Sequence, residues 1–309
     1  QKQLEDNGMA AFTSQSCTDA GVTVTAEQSI TDNYNSHISF KVEGFQVEDG
    51  QQPDFGSISV LVDGKDDLNL DAGFYDGIIT GEDGMPVRAS DGSSALDENG
   101  DMIYYYVQED GSMEFDINMN NYSEKGFFIG KDIQVELKDL GTVDKAEFTK
   151  TLEGAWNFEW TLGGADTAKT YTLNQPLGDS GATIQTVEIS PISVYAEYNF
   201  PIQKETITGE NEDGTTSEST TFKEAPPLMG IKLKDGTVIK NMYMGGGMIG
   251  YQNNSSDDYV YAYATDRIID PDQIAYFLFI NDDAPIGEQG MTEDNFYEVA
   301  VGENQQGNR

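Results

Sequence analysis

Apolar and polar residues alternate with period two along most of this chain, and that spacing predicts strands because successive strand side chains point to opposite faces. Val22, Val24 and Ala26 alternate with Thr23 and Thr25, and Ile38, Phe40 and Val42 alternate with His37, Ser39, Lys41 and Glu43. Ile58, Val60 and Val62 repeat the pattern, as do Ile133, Val135 and Leu137. Trp156, Phe158, Trp160 and Leu162 put two indoles on one buried face, and this strand is expected to close a first core. Helical periodicity is nearly absent; only residues 1–15, with Leu4, Met9, Ala10, Ala11 and Phe12, suggest a short helix or stalk.

Gly163, Gly164, Pro176, Gly178 and Gly181 crowd a stretch with one short apolar run near Tyr171, which predicts a boundary there. Beyond it, strands are expected at Val187–Ile189, Val194–Phe200, Ile231–Leu233, Thr237–Ile239, Tyr259–Ala264, Ile274–Ile280 and Phe296–Val301. Asp235-Gly236 between two alternating runs predicts a type I′ hairpin with positive φ at both central residues. A length of 309 residues fits two domains. Two groups of about seven short strands favour an all-β protein of two immunoglobulin-like β-sandwiches in tandem. The first is expected over 16–165 and the second over 180–309. Residues 63–123, rich in Gly and Asp, read as a long insertion in the first.

Charge narrows the partners. Seventeen basic against 55 acidic side chains give a net charge of −38, which repels nucleic-acid phosphate and anionic lipid headgroups. An isolated fragment of this charge is expected to be monomeric. Hydrophobic content of 37% supplies packed cores, so the acidity belongs to a solvated surface. The single Cys17 forbids an intrachain disulfide, and no apolar run is long enough for a membrane helix.

Chemistry-bearing residues are sparse. His37 falls on the polar phase of its strand, and nothing beside Cys17 would activate its thiol, so neither that pair nor any other catalytic set is expected. Gly245-Gly246-Gly247-Met248-Ile249-Gly250 spells the dinucleotide fingerprint, but Tyr251-Gln252-Asn253-Asn254 opens no helix to hold a pyrophosphate, so a strand connection is the reading. Asp67, Asn69 and Asp71 keep part of an EF-hand spacing, yet Gly73 is one place late and Ile78 replaces the bidentate Glu. A looser calcium site remains a candidate on Asp66, Asp67, Asn69 and Asp71, or on Asp97, Asn99 and Asp101; the alternative is a solvated loop. Calcium aside, no cofactor is expected. Tyr259, Tyr261 and Tyr263 share one strand face, a candidate platform for stacking sugars, against which stands ordinary cross-strand packing. Two carboxylates across a cleft would make a glycosidase, but chance pairs abound among so many acids.

Several strings taken together carry a family resemblance: Asp19-Ala20-Gly21-Val22-Thr23-Val24 with Asp32, Gly154-Ala155-Trp156-Asn157-Phe158, and Ile189-Ser190-Pro191. The chain resembles the external β-sandwich region, a domain of unknown function, of Gram-positive membrane proteins similar to anti-sigma factors. Ile269-Asp270-Pro271-Asp272-Gln273-Ile274 looks like that family's C-terminal companion module. The resemblance implies a sensory or interaction region outside the cytoplasmic membrane, anchored by a transmembrane helix upstream of Gln1. It implies an unknown extracellular ligand or protein partner, and a sigma factor reached only through an intracellular segment absent here. It transfers no catalytic residue. The rival expectation is a cell-surface, adhesin-like or glycan-binding module.

Overall fold

A computed structural model describes residues 8–48, 51–75, 79–80, 86–87, 106–108, 110–144, 146–210, 216–252, 256–281 and 292–302. Two compact units divide the chain, Gln1–Ala165 and Asp166–Arg309. The first holds β1 (Ala10–Asp19), β2 (Val22–Thr31), β3 (Asn35–Glu43), β4 (Gln52–Val62) and β5 (Asn69–Phe74). It continues with the two-residue β6 (Ile79–Thr80) and β7 (Pro86–Val87), then β8 (Met113–Asn120), β9 (Asp132–Asp144) and β10 (Glu147–Thr161). Its sheets are antiparallel, ordered β1-β2-β3-β8-β5 and β10-β9-β4.

The second unit holds β11 (Lys169–Pro176), β12 (Thr183–Ile189), β13 (Ser193–Asn199), β14 (Lys204–Glu210), β15 (Thr216–Phe222) and β16 (Leu228–Leu233). After these come β17 (Val238–Ile239), β18 (Tyr243–Tyr251), β19 (Asp258–Thr265), β20 (Ile274–Ile280) and β21 (Phe296–Ala300). Its main sheets run β11-β12-β13-β19-β18 and β17-β16-β20-β21, with β14-β15 as a separate hairpin.

Both units carry one topology. In the first, β2-β3-β8-β5 and β10-β9-β4 reproduce the ABED and GFC order of a constant-type immunoglobulin sandwich. In the second, β12-β13-β19-β18 and β21-β20-β16 do the same. Each adds one strand outside A, namely β1 or β11. The A–B turn is built alike in both. Asp32 Oδ1 accepts the Tyr34 and Asn35 amides at 2.9 and 2.8 Å, while Ser190 Oγ accepts those of Ile192 and Ser193 at 3.1 and 3.0 Å. The resembling strings therefore mark turns and core.

The first core is aromatic. Trp156, Phe158, Trp160 and Leu162 are buried as their spacing predicts, and Trp156 Nε1 donates to the Val22 carbonyl at 3.1 Å, tying G to A. Phe40 packs against Phe115, Phe158 and Trp160, and each such ring removed from water contributes about 1.5–3 kcal/mol. Leu177, Ile184, Val187, Tyr198, Phe277 and Phe279 help form a second, separate core.

Three expectations need correction. Ala10, Ala11 and Phe12 are strand rather than helix, because the turn at Ala20 (φ 49°) and Gly21 (φ 84°) folds β1 onto β2; residues 1–7 lie outside the described residues. The stretch 163–181 is not all connection, since β11 pairs with β12. Between β16 and β17 only Gly236 has positive φ (92°). The Gly236 amide donates to Leu233 O and the Leu233 amide to Thr237 O, a type I turn closed by a left-handed glycine, not type I′. Of the insertion expected over 63–123, β5 and β8 are sheet members, and much of what joins them lies outside the described residues.

Candidate functional site

Among the described residues, a groove of about 430 Å³ opens on the outer face of the β10-β9-β4 sheet. Strand alternation builds it: the phase that buries Trp156, Phe158 and Trp160 turns Asn157 and Glu159 outward, and the phase that buries Ile133, Val135 and Leu137 turns out Gln134 and Glu136. Register aligns these in rows, Asn157 with Glu136 and Ser59, and Glu159 with Gln134 and Leu61. Two carboxylates, two amides and a hydroxyl thus surround one half-buried leucine, a set that both donates and accepts hydrogen bonds. Lys138 Nζ holds Glu136 at 2.8 Å, and Gln15 of β1 donates to the Glu159 carbonyl at 3.0 Å, bracing the rim. Glu136 and Glu159 rise from the same sheet face rather than opposing each other across a cleft, an arrangement unlike the flanking carboxylates of glycoside hydrolysis.

None of the candidate site residues read from the sequence lies in this groove; Val135, Asn157 and Phe158, named there only as strand and family-string residues, do. Cys17 pairs with Val24 and thence Val42, whereas His37 pairs with Ile30 and thence Ala10. Val42 and His37 are five residues apart along β3, about 17 Å at 3.3 Å per residue, so Cys17 and His37 form no dyad. His37 occupies the outward phase of β3, where its Nδ1 meets Asn118 Oδ1 at 2.6 Å and its Nε2 lies 3.5 Å from Asp116. Burial pushes the Asp116 carboxyl up, and His37 draws it back down.

The calcium candidates are not gathered. Asn69 Nδ2 donates to Asn120 Oδ1 at 3.0 Å, the Asp67 carbonyl takes the Asn121 amide, and Asp71 stands opposite Asn118 in the β5-β8 ladder. Among the described residues no three of Asp, Glu, His or Cys converge as metal ligands. Asp97, Asn99 and Asp101 lie outside the described residues.

Tyr259, Tyr261 and Tyr263 do share a face, but it is the inner one, with exposures of 2%, 7% and 0%. They cannot stack a sugar. Tyr263 Oη donates to Leu228 O at 2.7 Å, Tyr198 Oη to Pro226 O at 3.1 Å, and Tyr261 Oη approaches Met229 Sδ at 3.7 Å. The Tyr259 oxygen is buried, which raises its phenol, beside the Ala225 backbone, which draws it part of the way back down, but it makes no hydrogen bond of full geometry. Desolvation raises the Tyr198 and Tyr259 phenols and pushes Tyr261 up to about 12. Gly245–Gly250 sits inside β18, and the next element among the described residues is strand β19, not a helix.

No family model and no curated protein matches this chain. One solved structure similar to it is the crystal structure of the conserved domain protein from Bacillus anthracis, at 15% identity and a TM-score of 0.48, over 91% of this chain and 83% of that one. No helix among the described residues is long and apolar enough to cross a membrane.

Proposed function

We propose that this chain is a non-enzymatic recognition region, the external, ligand-sensing part of a membrane-anchored regulator resembling anti-sigma factors. The observation that carries the reading is the groove, a concavity of mixed polar and apolar lining on the outer face of an immunoglobulin-type GFC sheet. Support comes also from the A–B turns, where Asp32 and Ser190 of the resembling strings perform one structural task in two units. In this reading the external region sits on the outer side of the cytoplasmic membrane, and occupancy of the groove biases an intracellular sigma-binding segment.

A second reading is favoured by the lining itself. Ser59, Gln134, Asn157 and the two glutamates match the hydroxyls of a sugar, so a surface glycan-binding module would use this groove, not the tyrosines. Transcript profiling of a gene deletion separates the two. Altered sigma-dependent transcripts support the regulator, whereas unchanged transcripts with glycan-array binding abolished by Asn157→Ala support the glycan module. Unchanged transcripts together with no glycan binding would remove both readings.

A further inference from the structure

Strand β18 is a sheet edge of unusual composition. It follows β19 as the last member of its sheet, and from Gly247 to Tyr251 its ladder runs without interruption. The irregularities near Gly245 confine the regular edge to that run.

Proteins ordinarily guard such edges with charge or proline, because unpaired N–H and C=O groups template another strand. The other edges of these sheets longer than two residues do so: Asp19 in β1, Pro53 in β4, Asp71 in β5, Glu147 in β10, Lys169 and Pro176 in β11, Glu298 in β21. Strand β18, Tyr-Met-Gly-Gly-Gly-Met-Ile-Gly-Tyr, has neither. Instead it exposes Tyr243 (36%), Met244 (48%) and Ile249 (46%). Its glycines leave the backbone uncovered. Gly247 must remain glycine, since a Cβ there would sit 2.4 Å from Ala262 O.

We propose that β18 accepts an added strand from a different polypeptide, an extended segment of alternating apolar residues with basic flanks. Charge chooses the occupant. Asp257 and Asp258 border the Tyr251 end, where the Gln252 amide donates to Asp258 O. Asp266 borders the other end, but both its oxygens are held by Arg267 at 2.7 Å, so Asp257 and Asp258 supply the local acidic flank, and the chain carries −38 overall. A second copy would bring the same acidic flank and the same net charge, whereas lysine or arginine flanks meet both favourably. Backbone hydrogen bonds supply the pairing and Ile249 an apolar contact.

The probe is a synthetic peptide of alternating valine and threonine between lysine pairs, mixed with the full chain and followed by amide hydrogen exchange. Exchange across Gly247–Tyr251 is expected to slow by at least about tenfold. A glutamate-flanked version and one methylated at alternate backbone amides should leave it unchanged, as should the lysine peptide on a correctly folded Ile249→Lys variant. Equal protection by the methylated peptide, no protection by the lysine peptide, or protection that appears without peptide as protein concentration rises would each overturn the proposal; the last would assign the edge to a second copy.

Discussion

Two tyrosines of one strand should respond oppositely to loss of their hydroxyls. Tyr263 donates at 2.7 Å to a carbonyl of Leu228, and both residues are fully buried. Tyr263→Phe removes that bond and strands the carbonyl, so it should cost about 1–2 kcal/mol. Tyr259 buries its oxygen with only a weak contact to the Ala225 backbone, so Tyr259→Phe removes a poorly compensated desolvation and should be neutral or stabilising by up to about 1 kcal/mol. At roughly 3–5 °C per kcal/mol for a unit this size, the melting temperatures should split by about 3–15 °C. Urea titration of both variants, followed by circular dichroism and tyrosine emission, measures the difference. Equal destabilisation would refute the assigned hydrogen-bonding pattern.

Further outcomes follow from other features. Because Tyr198, Tyr259 and Tyr261 titrate higher folded than unfolded, the unfolded chain binds fewer protons above its phenol pKa of about 10. Their contribution is complete below that pH and is lost as pH rises toward about 12, so urea midpoints of the second unit should fall over that window. Asp32→Ala and Ser190→Ala each strand two turn amides and should each cost about 1–3 kcal/mol, with Asp32→Asn milder, as thermal melts would show. Both tryptophans, Trp156 and Trp160, belong to the first core, so indole emission should follow that unit's transition alone, and Tyr263→Phe should leave it unmoved.

The β class was legible because alternation is strict where only one face is apolar. Trp156, Phe158 and Trp160 alternate with Asn157 and Glu159, and the buried phase was unambiguous. Strand β19 misled because Val260 and Ala262 on its other face are buried too, at 3% and 0%, so alternation between tyrosine and small apolar residues does not say which side is the core. Ala10 to Phe12 suggested a helix because the signal for strand lay elsewhere, in the Ala20-Gly21 turn that returns β1 to β2. The groove escaped notice for a different reason. Ser59 comes from β4, and Gln134, Glu136, Asn157 and Glu159 from the β9-β10 hairpin more than seventy residues later, and each by itself is only the solvent-facing phase of its strand.

The common strand order also fixes where each sandwich has grown. The long connection of the first unit joins D to E, and the β14-β15 hairpin of the second joins B to C. Both depart from the end at which B finishes and E begins, since Val42 pairs with Met113 and Asn199 with Asp258. The opposite end is closed by the tight Asp32 and Ser190 turns. Each sandwich is thus elaborated at one pole and sealed at the other, so a reporter spliced between Glu210 and Thr216 should leave both interiors undisturbed, whereas the same splice at Asn33 would open one.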